Sequence, residues 1–155
     1  MTASDPNNSA ESHLNDLKKR HVPFLDLLKI RPTNAVEGIT EFEMVVEEQH
    51  LRTLGIMHGG VTAALLDSAM GFAAVTMSPP GHYVVTVQLN INFVRPVWES
   101  ETLIAKGEVR HSGRQTAVVF GEIHTGEGTL IATGTGTFLY QPQPGETIEK
   151  VDDAR

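Results

Sequence analysis

Asp67 is the only charged side chain between Gly59 and Ser78, in a run otherwise made of Gly, Ala, Leu, Val, Met, Phe, Thr and Ser. Taking a carboxylate out of water costs several kcal/mol unless it is hydrogen-bonded or neutralised. Costly charges of this kind cluster where chemistry is done. A structural Asp at this position would cap a neighbouring loop or lie on one wet face. His58-Gly59-Gly60 stands at the head of the same run. Two glycines admit a ligand closely, and the first N–H groups of a helix are unpaired and aimed outward, where a developing oxyanion would be held. A plain loop-to-helix turn that needs glycine for its dihedrals has the same spelling. Asp67 follows His58 by nine positions, half a helical circumference and roughly 13 Å along the axis. One helix cannot turn both groups toward one carbonyl. If both act on one substrate, the second comes from another copy of the chain, across a two-fold interface. A further candidate is Arg110-His111-Ser112-Gly113-Arg114. Two arginines, a hydroxyl and exposed backbone N–H groups make a cradle suited to phosphate, to which Arg95 could add. A solvated hairpin tip has the same composition.

The elements that must position these groups follow from periodicity. Gly59 to Ser78 reads as one long helix, ended by Pro79-Pro80-Gly81 and apolar nearly all round, hence buried on most faces. Tyr83 to Val94 alternates Tyr83, Val85, Val87, Leu89, Ile91 and Phe93 against Thr86, Gln88, Asn90 and Asn92, which predicts a long strand with one apolar face. Strands are predicted at 102–110, 115–125 and 130–140, and two more in 31–46, split at Gly38. Gly134 and Gly136 fall on one strand face and suit close backbone approach. Residues 1–12 read as disordered, with a short helix over 11–20 and one or two helical turns over 24–30. The tail from Gln141 reads as a loose terminus. The plan is α+β: one buried helix wrapped by an antiparallel sheet of five to six strands.

Composition narrows the chemistry. The chain has 155 residues, 12 Lys+Arg against 19 Asp+Glu, a net charge of −7 and no cysteine. That is one ordinary domain. Thiolate zinc, iron–sulfur and cysteine-nucleophile chemistry are excluded. The acidic total argues against nucleic acid as a partner. The seven histidines form no metal-binding pair at helical spacing, so no metal site is expected, and neither a GxSxG elbow nor a P-loop lysine is present. The N-terminus has no signal-peptide pattern, and 61–77 reads as too short and polar for a membrane helix. A cytoplasmic protein without membrane association is the expectation.

The run Gly55-Ile56-Met57-His58-Gly59-Gly60, Asp67 nine residues after the His, the Val85-to-Pro96 strand and the Ser112-Gly113-Arg114 turn together resemble the hotdog-fold acyl-CoA thioesterases of the phenylacetate-pathway type. The resemblance covers residues 23–140, leaving 1–22 as a flexible N-terminal segment and 141–155 as a loose tail. It implies hydrolysis of an aryl or short-to-medium acyl-CoA to acid and free CoA, with no cofactor beyond the CoA of the substrate. It further implies Asp67 as nucleophile or general base, and the Gly59 N–H, beside His58, polarising the thioester carbonyl from the opposite subunit. Thr86 would position water or the carboxylate. Arg110, Ser112, Gly113 and Arg114 would face the CoA phosphates, and the assembly would be a dimer or a dimer of dimers.

One departure from the family is Arg52, where close relatives commonly carry Asn upstream of the HGG. A cation beside Asp67 would lower that carboxyl's pKa, or bind an acidic acyl group. Arg52 also gives weight to a rival reading, a non-catalytic acyl-CoA binding or sensing protein. A hotdog dehydratase, which pairs an acid with a His five residues on, is disfavoured because Phe72 stands there. Ala63, Ala64, Ala73 and Ala74 are the expected helix lining of the acyl site.

Overall fold

The computed structural model describes residues 6–144. Helix α1 spans Pro6–Lys19, with Lys18 and Lys19 in its last turn where the helix dipole favours cations. It begins at Pro6, so much of the predicted disordered segment is helical; residues 1–5 lie outside the described part. A short α2, Pro23–Leu28, opens on a proline whose missing N–H costs nothing at a helix start. Strands β1 (Arg31–Val36) and β2 (Ile39–Val45) form a hairpin closed at Gly38, whose φ of 76° needs glycine. Two 3-10 turns, Glu48–His50 and Thr53–Gly55, lead into α3, Gly59–Thr76. Then come β3 (His82–Phe93), β4 (Thr102–Ser112), β5 (Thr116–Thr125) and β6 (Leu130–Pro142). Gln141 and Pro142, expected in the loose tail, are the last residues of β6, paired with Tyr83 and His82. The rest of the tail, from residue 145, lies outside the described part.

All six strands pair antiparallel in the order β1-β2-β4-β5-β6-β3, and the sheet wraps α3: a hotdog fold of the α+β class. By length and composition α3 would pass for a membrane span, at 18 residues and a mean hydropathy of 1.3, contrary to the expectation from its polar interruptions. Here it packs Leu65, Leu66, Ala69, Met70, Ala73 and Ala74 into the core. The approach of helix to sheet is close. A Cβ on Gly107 would lie 2.4 Å from the Ala69 carbonyl oxygen, and one on Gly134 would lie 2.7 Å from Leu66 Cδ2. The buried Thr40 hydroxyl donates to that same Ala69 carbonyl at 2.6 Å, so the polar groups crossing this contact are satisfied.

The predicted single apolar face of β3 does not exist. The register with β6 shifts between Thr86 and Gln88, leaving Val87 as an extra residue. A bulge of this kind breaks the two-residue period. Val84 and Thr86 turn toward α3 before it, and Leu89 and Ile91 after it. Tyr83, Val85 and Val87 are left exposed.

Candidate active site

Asp67 and Thr86 are brought together by the bulge. Thr86 pairs with the buried Phe138 of β6, so its side chain faces inward, and its Oγ1 donates to Asp67 Oδ1 at 2.9 Å. Plain alternation would have left Thr86 in one row with Gln88 and Asn90. Burial pushes the Asp67 carboxyl above its ordinary value, and the Thr86 hydrogen bond pulls it partway back. A carboxylate raised toward neutrality while still held by a donor is suited to take a proton from water or to attack a carbonyl.

The pair sits on the wall of a cleft of about 530 Å³, formed by α3, the first half of β3, and the α1–α2 connection with the start of α2. Gly71, Phe72 and Val75 continue the helix wall; Val84, Tyr83 and His82 continue the strand wall. Ala63, Ala64, Ala73 and Ala74 do not line it, and Ala73 and Ala74 are fully buried in the core. Beyond Asp67 and Thr86, the residues that do were missed by sequence reasoning. One signal was present: Gly71 and Val75 stand four and eight positions after Asp67, on the same helix face.

His58 is the N-cap of α3. Its Nδ1 accepts the Gly60 N–H at 2.8 Å, so the imidazole is occupied in satisfying the helix start. The glycine at position 60 is what lets that ring come close, since a Cβ there would lie 2.9 Å from Nδ1. The Gly59 N–H makes no hydrogen bond among the described residues. Gly59 packs against Phe93 and lines a second cleft, of about 290 Å³, with Arg52 and Arg95. The preceding loop is held by buried His50, whose Nδ1 accepts from the Glu47 N–H at 3.0 Å and whose carbonyl accepts from the His58 N–H at 2.9 Å.

Within one chain, therefore, Gly59 and Asp67 line different clefts. Arg52 goes with Gly59 and does not touch Asp67, so the expected lowering of that carboxyl does not arise within the chain; burial dominates. Arg95 also departs from expectation. Its Nη1 donates to the Leu130 carbonyl at 2.8 Å, at the start of β6, whereas the 110–114 turn lies against Leu139 and Tyr140 at the far end of that strand. In that turn Arg110 is engaged by Glu108 at 2.9 Å and lies over the Phe120 ring. Ser112 Oγ shares a hydrogen bond with the Tyr140 hydroxyl at 2.8 Å, and the Gly113 N–H donates to the Thr116 carbonyl. Arg114 is exposed and has no ion pair among the described residues.

The six-stranded sheet wrapped on one helix is the architecture of the hotdog-fold thioester hydrolases. The chain belongs to the thioesterase superfamily, whose sequence model matches residues 54–132, and within it to the PaaI type. It is 33% identical over 112 residues to human acyl-coenzyme A thioesterase 13, covering 70% of this chain and 78% of that protein. The structure of Escherichia coli PaaI, from the phenylacetic acid degradation operon, superposes with a TM-score of 0.78 at 26% identity, covering 88% of this chain and 96% of that one. A hypothetical thioesterase protein from Streptococcus pneumoniae solved with coenzyme A superposes with a TM-score of 0.68 at 27% identity, covering 74% of this chain and 90% of that one.

Proposed function

We propose that the protein hydrolyses acyl-CoA thioesters in the cytoplasm as a homo-oligomer, each site combining Asp67 and Thr86 of one chain with the Gly59 N–H of another. The observation that carries this reading is the separation of the two halves: a poised carboxylate in one cleft, an unpaired N–H at the helix start in another. Water adds to the thioester carbonyl, the C–S bond breaks, and the products are a carboxylic acid and the free thiol of CoA. Asp67 either takes the proton from that water or attacks the carbonyl itself, giving an anhydride that water then opens. The Gly59 N–H would hold the carbonyl oxygen as it gains charge, and Arg114, with Arg110 beside it, would draw the CoA phosphates. The relatives named for acyl-CoA hydrolysis and the neighbour solved with CoA support this substrate class.

Strand β3 supports the assembly. It is one of the sheet's two edges, 12 residues long, and exposes Val87 (61%) and Phe93 (59%). A long apolar edge of this kind is a template for another strand. Antiparallel pairing of β3 with its copy, centred on Asn90 and stepping over the extra residue Val87 of each strand, would set Phe93, and Gly59 with it, opposite Thr86 of the second chain.

Mixed subunits test the reading. Gly59→Pro removes the N–H at a helix position that tolerates proline, and Asp67→Ala removes the carboxylate; each homo-oligomer should release no CoA. Refolding the two together should restore about a quarter of wild-type sites, because half the dimers are mixed and each carries one complete site. No recovery in verified mixed dimers would place both groups in one chain. Tight acyl-CoA binding by the wild type with no thiol release would favour the sensor reading.

A further inference from the structure

The acyl cleft has a defined direction and an end. Going along α3 from Asp67 to Val75, eight residues advance about 12 Å. Going back along β3 from Thr86 to His82, four residues cover about 13 Å. Both walls thus run the same way from the reactive carboxylate, and the cleft they enclose is an elongated slot. On the other side of Phe72 lies another cleft, of about 450 Å³, beneath α1 and lined by Leu17, Ile30 and Phe42. The two clefts share only Arg20, Val22, Leu25 and Phe72. Phe72 is the α3 residue of that partition, held by its contact with Phe42 at a centroid distance of 5.3 Å.

We propose that Phe72 is the wall that confines the acyl group to this slot and so limits its length. The site takes an acyl group of one aromatic ring or a medium alkyl chain, and Phe72 closes off a second apolar cleft that a longer chain would need. The proposal rests on Asp67 being the reactive end of the thioesterase site. Within the slot, each methylene buried is worth about fourfold in affinity; past Val75 and His82, where its two walls end, further methylenes turn back to water while Phe72 bars the second cleft. Gly71, one residue before Phe72, keeps the slot open. A Cβ there would lie 3.4 Å from the Phe138 ring, so any larger side chain occupies the slot itself.

The test is kcat/KM on butanoyl-, octanoyl- and dodecanoyl-CoA for the wild type, Phe72→Ala, Phe72→Leu and Gly71→Val. In the wild type the value should climb from butanoyl to octanoyl and gain nothing at dodecanoyl. In Phe72→Ala the dodecanoyl-to-octanoyl ratio should rise about tenfold or more, the worth of a few newly buried methylenes. Phe72→Leu, which keeps most of the packing on Phe42, should raise it less and carries the test if the alanine variant melts early. Gly71→Val should lower the octanoyl-to-butanoyl ratio. A ratio unchanged in both Phe72 variants, or a wild type that keeps gaining through dodecanoyl, overturns the wall. Release of CoA from none of the three thioesters overturns the thioesterase reading instead. The same length series, as non-hydrolysable thioethers in a calorimeter, would then decide the wall independently.

Discussion

Thr86 Oγ1 donates a 2.9 Å hydrogen bond to Asp67 Oδ1 across the gap between β3 and α3, the only contact among the described residues that opposes the effect of burial on this carboxyl. A donor to the ionised form lowers a pKa; withdrawal from water raises it. Thr86→Val keeps the shape and removes the donor. The acid limb of the pH–kcat profile should therefore move to higher pH, and kcat near neutrality should fall about tenfold, the scale of one hydrogen bond to a charge. Thr86→Ser should restore both. A profile that does not move would detach Thr86 from the carboxylate.

The same burial has a consequence for stability. Asp67 has its folded pKa above the unfolded value of 3.8, so ionising it opposes folding. The penalty is full above the folded pKa and disappears as pH falls below the unfolded one. Asp67→Asn should therefore melt higher than the wild type at neutral pH and converge with it near pH 3, while losing turnover at every pH. Differential scanning calorimetry across that range checks the sign.

The two arginines of the 110–114 turn, proposed to draw the CoA phosphates, are unequal. Arg110 is ion-paired to Glu108 and lies over Phe120, whereas Arg114 is free of ion pairs among the described residues. Arg114→Ala should raise KM for acyl-CoA several-fold and in a salt-dependent way, with little change in kcat. Arg110→Ala should raise it less. Neither should affect an N-acetylcysteamine thioester, which lacks the phosphates; an equal effect on both substrates would move the cradle elsewhere.

The exposed β3 edge gives an assembly prediction. Val87→Lys puts a charge at the bulge of that edge, where charged side chains discourage strand pairing. Sedimentation should shift from dimer or tetramer to monomer, and turnover should fall with the fraction of assembled chain. A fully active monomer would refute the shared site.

Gly71→Ala offers a stability check free of the chemistry. Replacing a mid-helix glycine by alanine should stabilise by about 1 kcal/mol, because the added methyl meets Phe138 at ordinary contact distance. Thermal melts should show the gain even as bulky thioesters turn over more slowly.

Much of the fold was legible. The glycine at position 38 marked the first hairpin, the 59–78 run marked the buried helix, and the strand boundaries fell within a few residues of those observed. The N-terminal helix was read too short because its residues are polar and without period, and packing of α1 against β1 is a tertiary matter. The candidate site was half legible. Asp67 stood out as a lone charge in an apolar run, and Gly59 as the open start of a helix. The cleft beside Asp67 did not stand out, because Phe72, Val84 and Phe138 look like any core residues until three elements are folded together.

Local order along the chain was enough for the separation of Gly59 from Asp67, since helical rise and rotation depend on nothing beyond the backbone. About 12 Å of helical rise over those eight positions already sets the two groups apart, and Gly55 to Gly60 with Asp67 already resembles a thioesterase. The direction of Thr86 was decided only by the folded sheet. Alternation assumes one residue per partner, and the extra residue at Val87 breaks that count through pairing with β6, a strand more than 40 residues away. The raised pKa of Asp67 and the wall at Phe72 are of the same kind, because burial and partition are properties of what packs around a residue.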